Sequence, residues 1–364
     1  MSVKLENLLV VDPIDGEYVA SLELEDGKIV SIEEVDKRPE AVVMPGFIDV
    51  HTHGAVGVDF FRDSDWKKAS EFFFSEGVTT FIPTSVSGSL ESMLEFLERA
   101  KQMQSVVPSA CCAHLEGPYI SKEKKGAQNE EFIREPSDEE LDLICSVGSL
   151  KTITLAPEVA KDFVEKFSEC GVVVSIGHSN ASYQDAKEAI RKGATRITHF
   201  PNALRTIHHR EVGVVGAALL EDVYLELIAD LVHVSAEMIN LTVKMKGYDR
   251  IILITDSISA TGLGDGEYDL GGLRVLVEDG MARLEDGTLA GSTLRFSQAV
   301  RNFRKVTGCS LRDLSKVSSY NAARNLGLKG VGRVSEGWKA DLVVLDFDLN
   351  VLEVYKNGEI VHRR

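Results

Sequence analysis

The 364-residue chain has 44% hydrophobic residues and a formal net charge of −17, a composition that supports a large folded interior. That negative balance excludes wholesale binding to nucleic acid or an anionic membrane, because no broad basic field is present to neutralise phosphates, although local cations can still hold a small anion. The five cysteines form no CxxC pair, the N-terminus lacks a signal peptide's apolar run, and no stretch reaches membrane-spanning length; the expectation is a reduced, cytoplasmic protein.

Short β-like runs open the chain at 8–11, 18–24 and 28–32, divided by the turns Asp15-Gly16 and Asp26-Gly27. From Val43 onward the pattern changes to short apolar strands separated by charged segments of helical period, among them 64–77, 90–104, 137–147 and 183–193. Eight strand candidates fall at 43–51, 79–84, 110–116, 152–157, 172–178, 196–200, 224–233 and 250–256. Such βα repetition predicts a (β/α)8 TIM-type barrel over 43–330. Residues 262–292 break the rhythm with Gly-rich turns and read as a hairpin excursion over the barrel mouth. Helical stretches at 297–307 and 311–326 close the ring. The tail returns to strands at 341–345, 351–355 and 359–362, so residues 1–42 and 331–364 are expected to build one small β-domain from both chain ends.

Polar residues gather at the C-terminal ends of these strands: His51 and His53, Glu116, His178, His199, His233 and Asp256. In this architecture those ends converge on one mouth, where catalytic groups from different strands meet. Histidines two apart on a strand share a face and can share one ion. His114 lies on the face of Glu116 and is expected as a partner behind the ligands.

Pro45-Gly46-Phe47-Ile48-Asp49 followed by His51-Thr52-His53, and Gly332-Arg333 followed by Gly337-Trp338-Lys339-Ala340-Asp341, mark the amidohydrolase superfamily. His114-Leu115-Glu116-Gly117-Pro118, Gly177-His178-Ser179-Asn180-Ala181, Thr198-His199-Phe200-Pro201-Asn202-Ala203 and Thr255-Asp256-Ser257 are narrower. Together with them the chain resembles, nearly end to end, the N-acetylglucosamine-6-phosphate deacetylases of that superfamily. The resemblance implies a barrel with a small β-sandwich formed by both chain ends, and hydrolysis of N-acetyl-D-glucosamine 6-phosphate to D-glucosamine 6-phosphate and acetate.

It also implies roles. Glu116, His178 and His199 are the main metal ligands, a set suited to Zn, Fe, Co or Mn, while His51 and His53 mark a second position, giving one or two ions per subunit. Asp256 is the base that takes a proton from water and passes it to the departing amine. Asn202, the Ala203 N–H and Arg210 hold the phosphate; His233, Ala127 and Leu289 contact the sugar. Gln128 stands where the family usually carries a histidine, and can donate a hydrogen bond but carries no proton to share. A homodimer is implied as well. Two competing readings are a dihydroorotase-like cyclic amide or urea hydrolase, disfavoured because no lysine ends the fourth strand, and a non-catalytic barrel scaffold, disfavoured because ligands and base are all present.

Overall fold

The computed structural model describes residues 2–364. Eight parallel strands form the barrel: β1 (Phe47–Thr52), β2 (Val78–Pro83), β3 (Ala113–Glu116), β4 (Leu150–Leu155), β5 (Val173–Ile176), β6 (Ala194–Ile197), β7 (Tyr224–Ile228) and β8 (Ile251–Ile254). β3 to β8 make a continuous sheet in sequential order, and β1 pairs with β2. Parallel bridges Phe81–Ala110 and Thr84–His114 join β2 to the β3 segment, and Thr52–Ser257 joins β1 to the chain just past β8, closing the ring. Every residue of β1, β2 and β8 is buried, the pattern of strands covered on both faces. Serines cap the intervening helices: Ser89, Ser137, Ser182, Ser235 and Ser310 each accept a backbone N–H of the first turn.

The chain ends are zipped together. Val3–Asp12, Gly16–Glu25, Lys28–Glu34 and Ala41–Pro45 join Leu342–Leu345, Val351–Lys356 and Glu359–Arg363 in one seven-stranded sheet. Ala41–Pro45 runs parallel to the first of these strands and antiparallel to Leu342–Leu345. The far edge curls back, Lys28 bridging Lys339, and encloses Leu22, Leu24, Ile29, Val43, Leu342 and Tyr355. The sandwich-like core is therefore wrapped by one curled sheet. Asp12, fully buried, accepts from Ile14 N, Asp15 N, Val334 N and the Arg333 guanidinium, tying the two termini with charge-assisted bonds.

The structure corrects several sequence boundaries. The expected strand 43–51 is two strands broken at Gly46: Ala41–Pro45 belongs to the end sheet and Phe47–Thr52 to the barrel, so a division between 42 and 43 falls inside a strand. Both strands are fully buried, so apolar composition runs across the junction without a mark. Gly46 makes the corner because a Cβ there would stand 2.2 Å from Thr79 Cγ2. The expected strands 196–200 and 224–233 end earlier, at Ile197 and Ile228, which leaves His199 and His233 on loops beyond the ladder. The excursion is a three-stranded antiparallel sheet, Gly266–Leu270, Leu273–Glu278 and Met281–Arg283, with its own apolar core of Val86, Ile258, Leu270, Val275, Val277 and Ala290.

Gly46→Ala is expected to destabilise the fold by about 1–3 kcal/mol through overpacking, read as a lower urea midpoint at unchanged slope; an unchanged midpoint removes Gly46 as an obligatory corner.

Candidate active site

A cavity of about 460 Å³ opens at the C-terminal ends of the barrel strands, within the range of small-molecule sites. Its floor holds two groups of metal-ligating side chains: Glu116, His178 and His199, and beside them His51, His53 and Asp256. In the first group Glu116 Oε1 stands 3.2 Å from His178 Nε2 and 3.0 Å from His199 Nε2, and the two imidazole nitrogens are 3.0 Å apart. In the second, His51 Nε2 and His53 Nε2 are 3.3 Å apart, and Asp256 Oδ1 lies 3.4 and 3.2 Å from them. Donors sharing one ion at bonds of about 2.0–2.1 Å are separated by roughly 3.3 Å, so the side chains of each group stand close enough together to hold one ion. Glu116 also reaches the second group: its Oε1 is 3.4 Å from His51 Nε2 and its Oε2 3.4 Å from His53 Nε2.

The partners behind the rings fix which nitrogen faces the cavity. Nδ1 of His51 meets Glu226 Oε2 at 2.9 Å, that of His53 meets the Thr84 carbonyl at 3.2 Å, and that of His178 meets the Lys124 carbonyl at 2.9 Å. Each Nδ1 must donate, so in the neutral rings each Nε2 turns a lone pair inward. His199 Nδ1 is buried without a hydrogen-bond partner. Gln128 is spent on the same floor: its Nε2 donates to Glu116 Oε2 at 2.6 Å and its Oε1 accepts from Ser87 N at 2.6 Å.

The electrostatics describe a site short of positive charge. Burial opposes protonation of His51, yet the fields of Glu116, Asp256 and Glu226 outweigh it and lift its pKa to about 10. Burial likewise acts to raise Glu116, but His51, His178 and His199 hold it well below the usual carboxylate range. Asp256 is also lowered: desolvation works upward and is outweighed chiefly by His51 and His53. A divalent cation answers that demand directly. His178, His199, Ala203 and Asp256 all have φ between 31° and 54°, a left-handed backbone that non-glycine residues adopt at a cost and that gathers at functional sites. The chain also packs tightly against Asp256: a Cβ on Gly291 would stand 2.9 Å from the Asp256 carbonyl oxygen.

The sequence pattern of the amidohydrolase family matches residues 42–361. The chain belongs to the amidohydrolase family. Among relatives, it is 38% identical to an N-acetylglucosamine-6-phosphate deacetylase of Lysinibacillus sphaericus, over 99% of this chain and 98% of that one. It is 36% identical to an N-acetylgalactosamine-6-phosphate deacetylase of Escherichia coli O157:H7, over 93% and 94% of the two. Among solved structures, the N-acetylglucosamine-6-phosphate deacetylase of Thermotoga maritima is 52% identical and superposes with a TM-score of 0.96, covering 100% of both chains.

Within this amidohydrolase frame the fold brings most of the sequence candidates together. His53, Glu116, Ala127, Gln128, His178, His199, Asn202, Ala203, His233, Asp256 and Leu289 line the cavity, and His51 lies directly beneath. His233 is steered by Asp230, which accepts from its Nδ1 at 2.7 Å. His114 is not in either metal group; its ring packs edge-on against His51, with centroids 4.8 Å apart, and its Nε2 meets Thr154 Oγ1 at 2.7 Å. Arg210 is the exception. It sits exposed on a turn, its Nη1 2.6 Å from His209 Nε2, and is absent from the cavity wall. The reason is local: His208 and Glu211 bridge each other, folding the segment into a turn that projects outward.

Sequence reasoning missed Glu226 and Arg196, both fully buried inside the barrel, and the wall cations Lys124 and Arg283. A charge inside an otherwise apolar strand, as in Tyr-Leu-Glu-Leu-Ile and Ala-Thr-Arg-Ile, was the available signal for the first two.

Because Glu116 contacts both groups, Glu116→Ala should abolish tight divalent-ion uptake at both positions, measured by metal analysis after dialysis of folded protein. Retention of one full equivalent would show that the groups are independent.

Proposed function

We propose that the chain is a metal-dependent deacetylase that converts N-acetyl-D-glucosamine 6-phosphate to D-glucosamine 6-phosphate and acetate. The observation that carries this reading is the pair of donor groups sharing Glu116 at the floor of a sugar-sized cavity, in a chain so similar to proteins named for that activity. Glu116, His178 and His199 would hold one divalent ion, and His51, His53 and Asp256 a second. The ligand set accepts Zn, Fe, Co or Mn, with supply deciding among them. When bound, such an ion supplies the Lewis acidity that amide hydrolysis needs.

The chain's own residues do the remaining work. Asp256 takes the proton of the attacking water on its carboxylate and returns it to the sugar nitrogen as the C–N bond breaks. His233, its Nδ1 committed to Asp230, offers Nε2 to a sugar hydroxyl or carbonyl. Gln128 acts as the brace of Glu116, since both ends of its amide are engaged. The left-handed turn at Ala203 offers its backbone N–H, with Asn202, to the phosphate. Leu289, on the excursion, covers the sugar face and excludes water.

Arg210 enters this reading through a second copy of the chain. In a homodimer the exposed turn of one subunit is free to reach the phosphate held in the other. The neighbouring loops support such an interface with exposed apolar residues, Ile207 at 51%, Leu231 at 44% and Val232 at 46%. Among the described residues no helix is long and apolar enough to cross a membrane, and the acidic surface offers nucleic acid no footing; a cytoplasmic setting remains part of the proposal.

Purified, metal-replete protein should release acetate from N-acetylglucosamine 6-phosphate, and chelation should stop it. The galactosamine epimer is the natural competitor, given the Escherichia coli relative. Faster turnover of that epimer would reassign the sugar, and turnover of a cyclic amide alone would sink the deacetylase reading. Asp256→Asn is expected to lower kcat by about 10²–10⁴-fold while an ion stays on Glu116, His178 and His199; near-normal kcat removes Asp256 as base. Arg210→Ala should raise KM for the phosphorylated sugar and spare N-acetylglucosamine, so equal losses on both would end its phosphate role.

A further inference from the structure

We propose that Glu226, on β7, is a positioning residue that sets how tightly the His51–His53–Asp256 group holds its divalent ion, with Arg196 on β6 as its buried counter-charge. This rests on the reading above that the second group takes an ion. Both side chains are fully buried within the barrel. Glu226 Oε2 accepts from His51 Nδ1 at 2.9 Å and from His199 N at 3.1 Å, while Oε1 lies 3.3 Å from Arg196 Nε. Arg196 Nη2 donates to Thr152 Oγ1 at 2.6 Å, leaving its Nε and Nη1 with no formal hydrogen bond.

Within the two donor groups, the three imidazoles with a partner at Nδ1 are not equivalent. His53 and His178 donate to neutral backbone carbonyls, whereas His51 alone donates to a carboxylate. A carboxylate behind a ligating imidazole fixes its tautomer and orientation and makes the inward nitrogen more basic. Glu226 therefore acts on an imidazole of the second position but touches the first only through the His199 backbone N–H, and Arg196 offsets its charge. Burying that ionised pair is costly, and nothing in barrel closure calls for it: Glu226 pairs with its neighbours in the sheet through its backbone. The charge is placed where it acts on His51.

Substitution can separate geometry from charge. In Glu226→Gln the amide oxygen can still accept from His51 Nδ1 and His199 N, but the negative charge is lost and Arg196 is left unbalanced beside the cation site. The test is titration of metal-stripped protein with Co²⁺, read by its visible absorption and by competition with a chelator, alongside unfolding midpoints. Wild type should bind two equivalents; Glu226→Gln should bind the first as before and the second about 10–100-fold more weakly. Arg196→Met should shift the second equivalent the opposite way, toward tighter binding, and it carries the test should Glu226→Gln not fold. Unchanged affinities in either folded variant, or equal weakening of both equivalents, would overturn the inference. A wild type that binds a single equivalent would instead overturn the two-ion reading, and the inference with it.

Discussion

Four imidazole nitrogens and the oxygens of two carboxylates stand 3.0–3.4 Å apart at the barrel mouth, nearly all of them buried. In their neutral rings, three of the four histidines turn lone pairs toward one another, because Nδ1 of His51, His53 and His178 is committed to donating behind. Lone pairs and carboxylates at such distances repel, and in a low-dielectric pocket that repulsion is large. Positive charge must sit among them. The carboxylates around His51 push its pKa up against the effect of burial, and a divalent ion would meet the same demand for positive charge.

Much of the fold exists to make that crowding tolerable. Ring closure brings β1 beside β8, so that His51 and His53 from one end of the chain meet Asp256 from 200 residues later. The curled end sheet fixes the register of β1 from below, through the corner at Gly46 and the continuous strand Ala41–Pro45. The excursion does the same for Asp256 from above: Ser292 N donates to its carbonyl at 2.7 Å, and Gly291 permits the close approach. Asp256 is thus held in a left-handed backbone by contacts on both sides, which is how a strained residue persists.

The barrel was legible because its strands are short apolar runs separated by Ser-capped helices, a local pattern that burial on both faces enforces. The clustering of these side chains was legible because polar residues at strand ends have one place to go in this architecture. What was not legible depended on tertiary placement. The break at Gly46 is silent because apolar strands adjoin it on both sides. Arg210 was expected at the phosphate from the family resemblance, yet the turn between His208 and Glu211 carries it outward. Glu226 and Arg196 hid in plain view, since each reads as one charge in a strand until the barrel brings the two together.

The glutamine at 128 takes its meaning from the same constraint. At this position the chain places an uncharged amide that grips Glu116 Oε2 and is itself gripped by Ser87 N. A histidine there would add a fifth imidazole to an already crowded set. With both ends of its amide engaged, Gln128 instead holds Glu116 in one orientation, from which its two oxygens reach His178 and His199 on one side and His51 and His53 on the other.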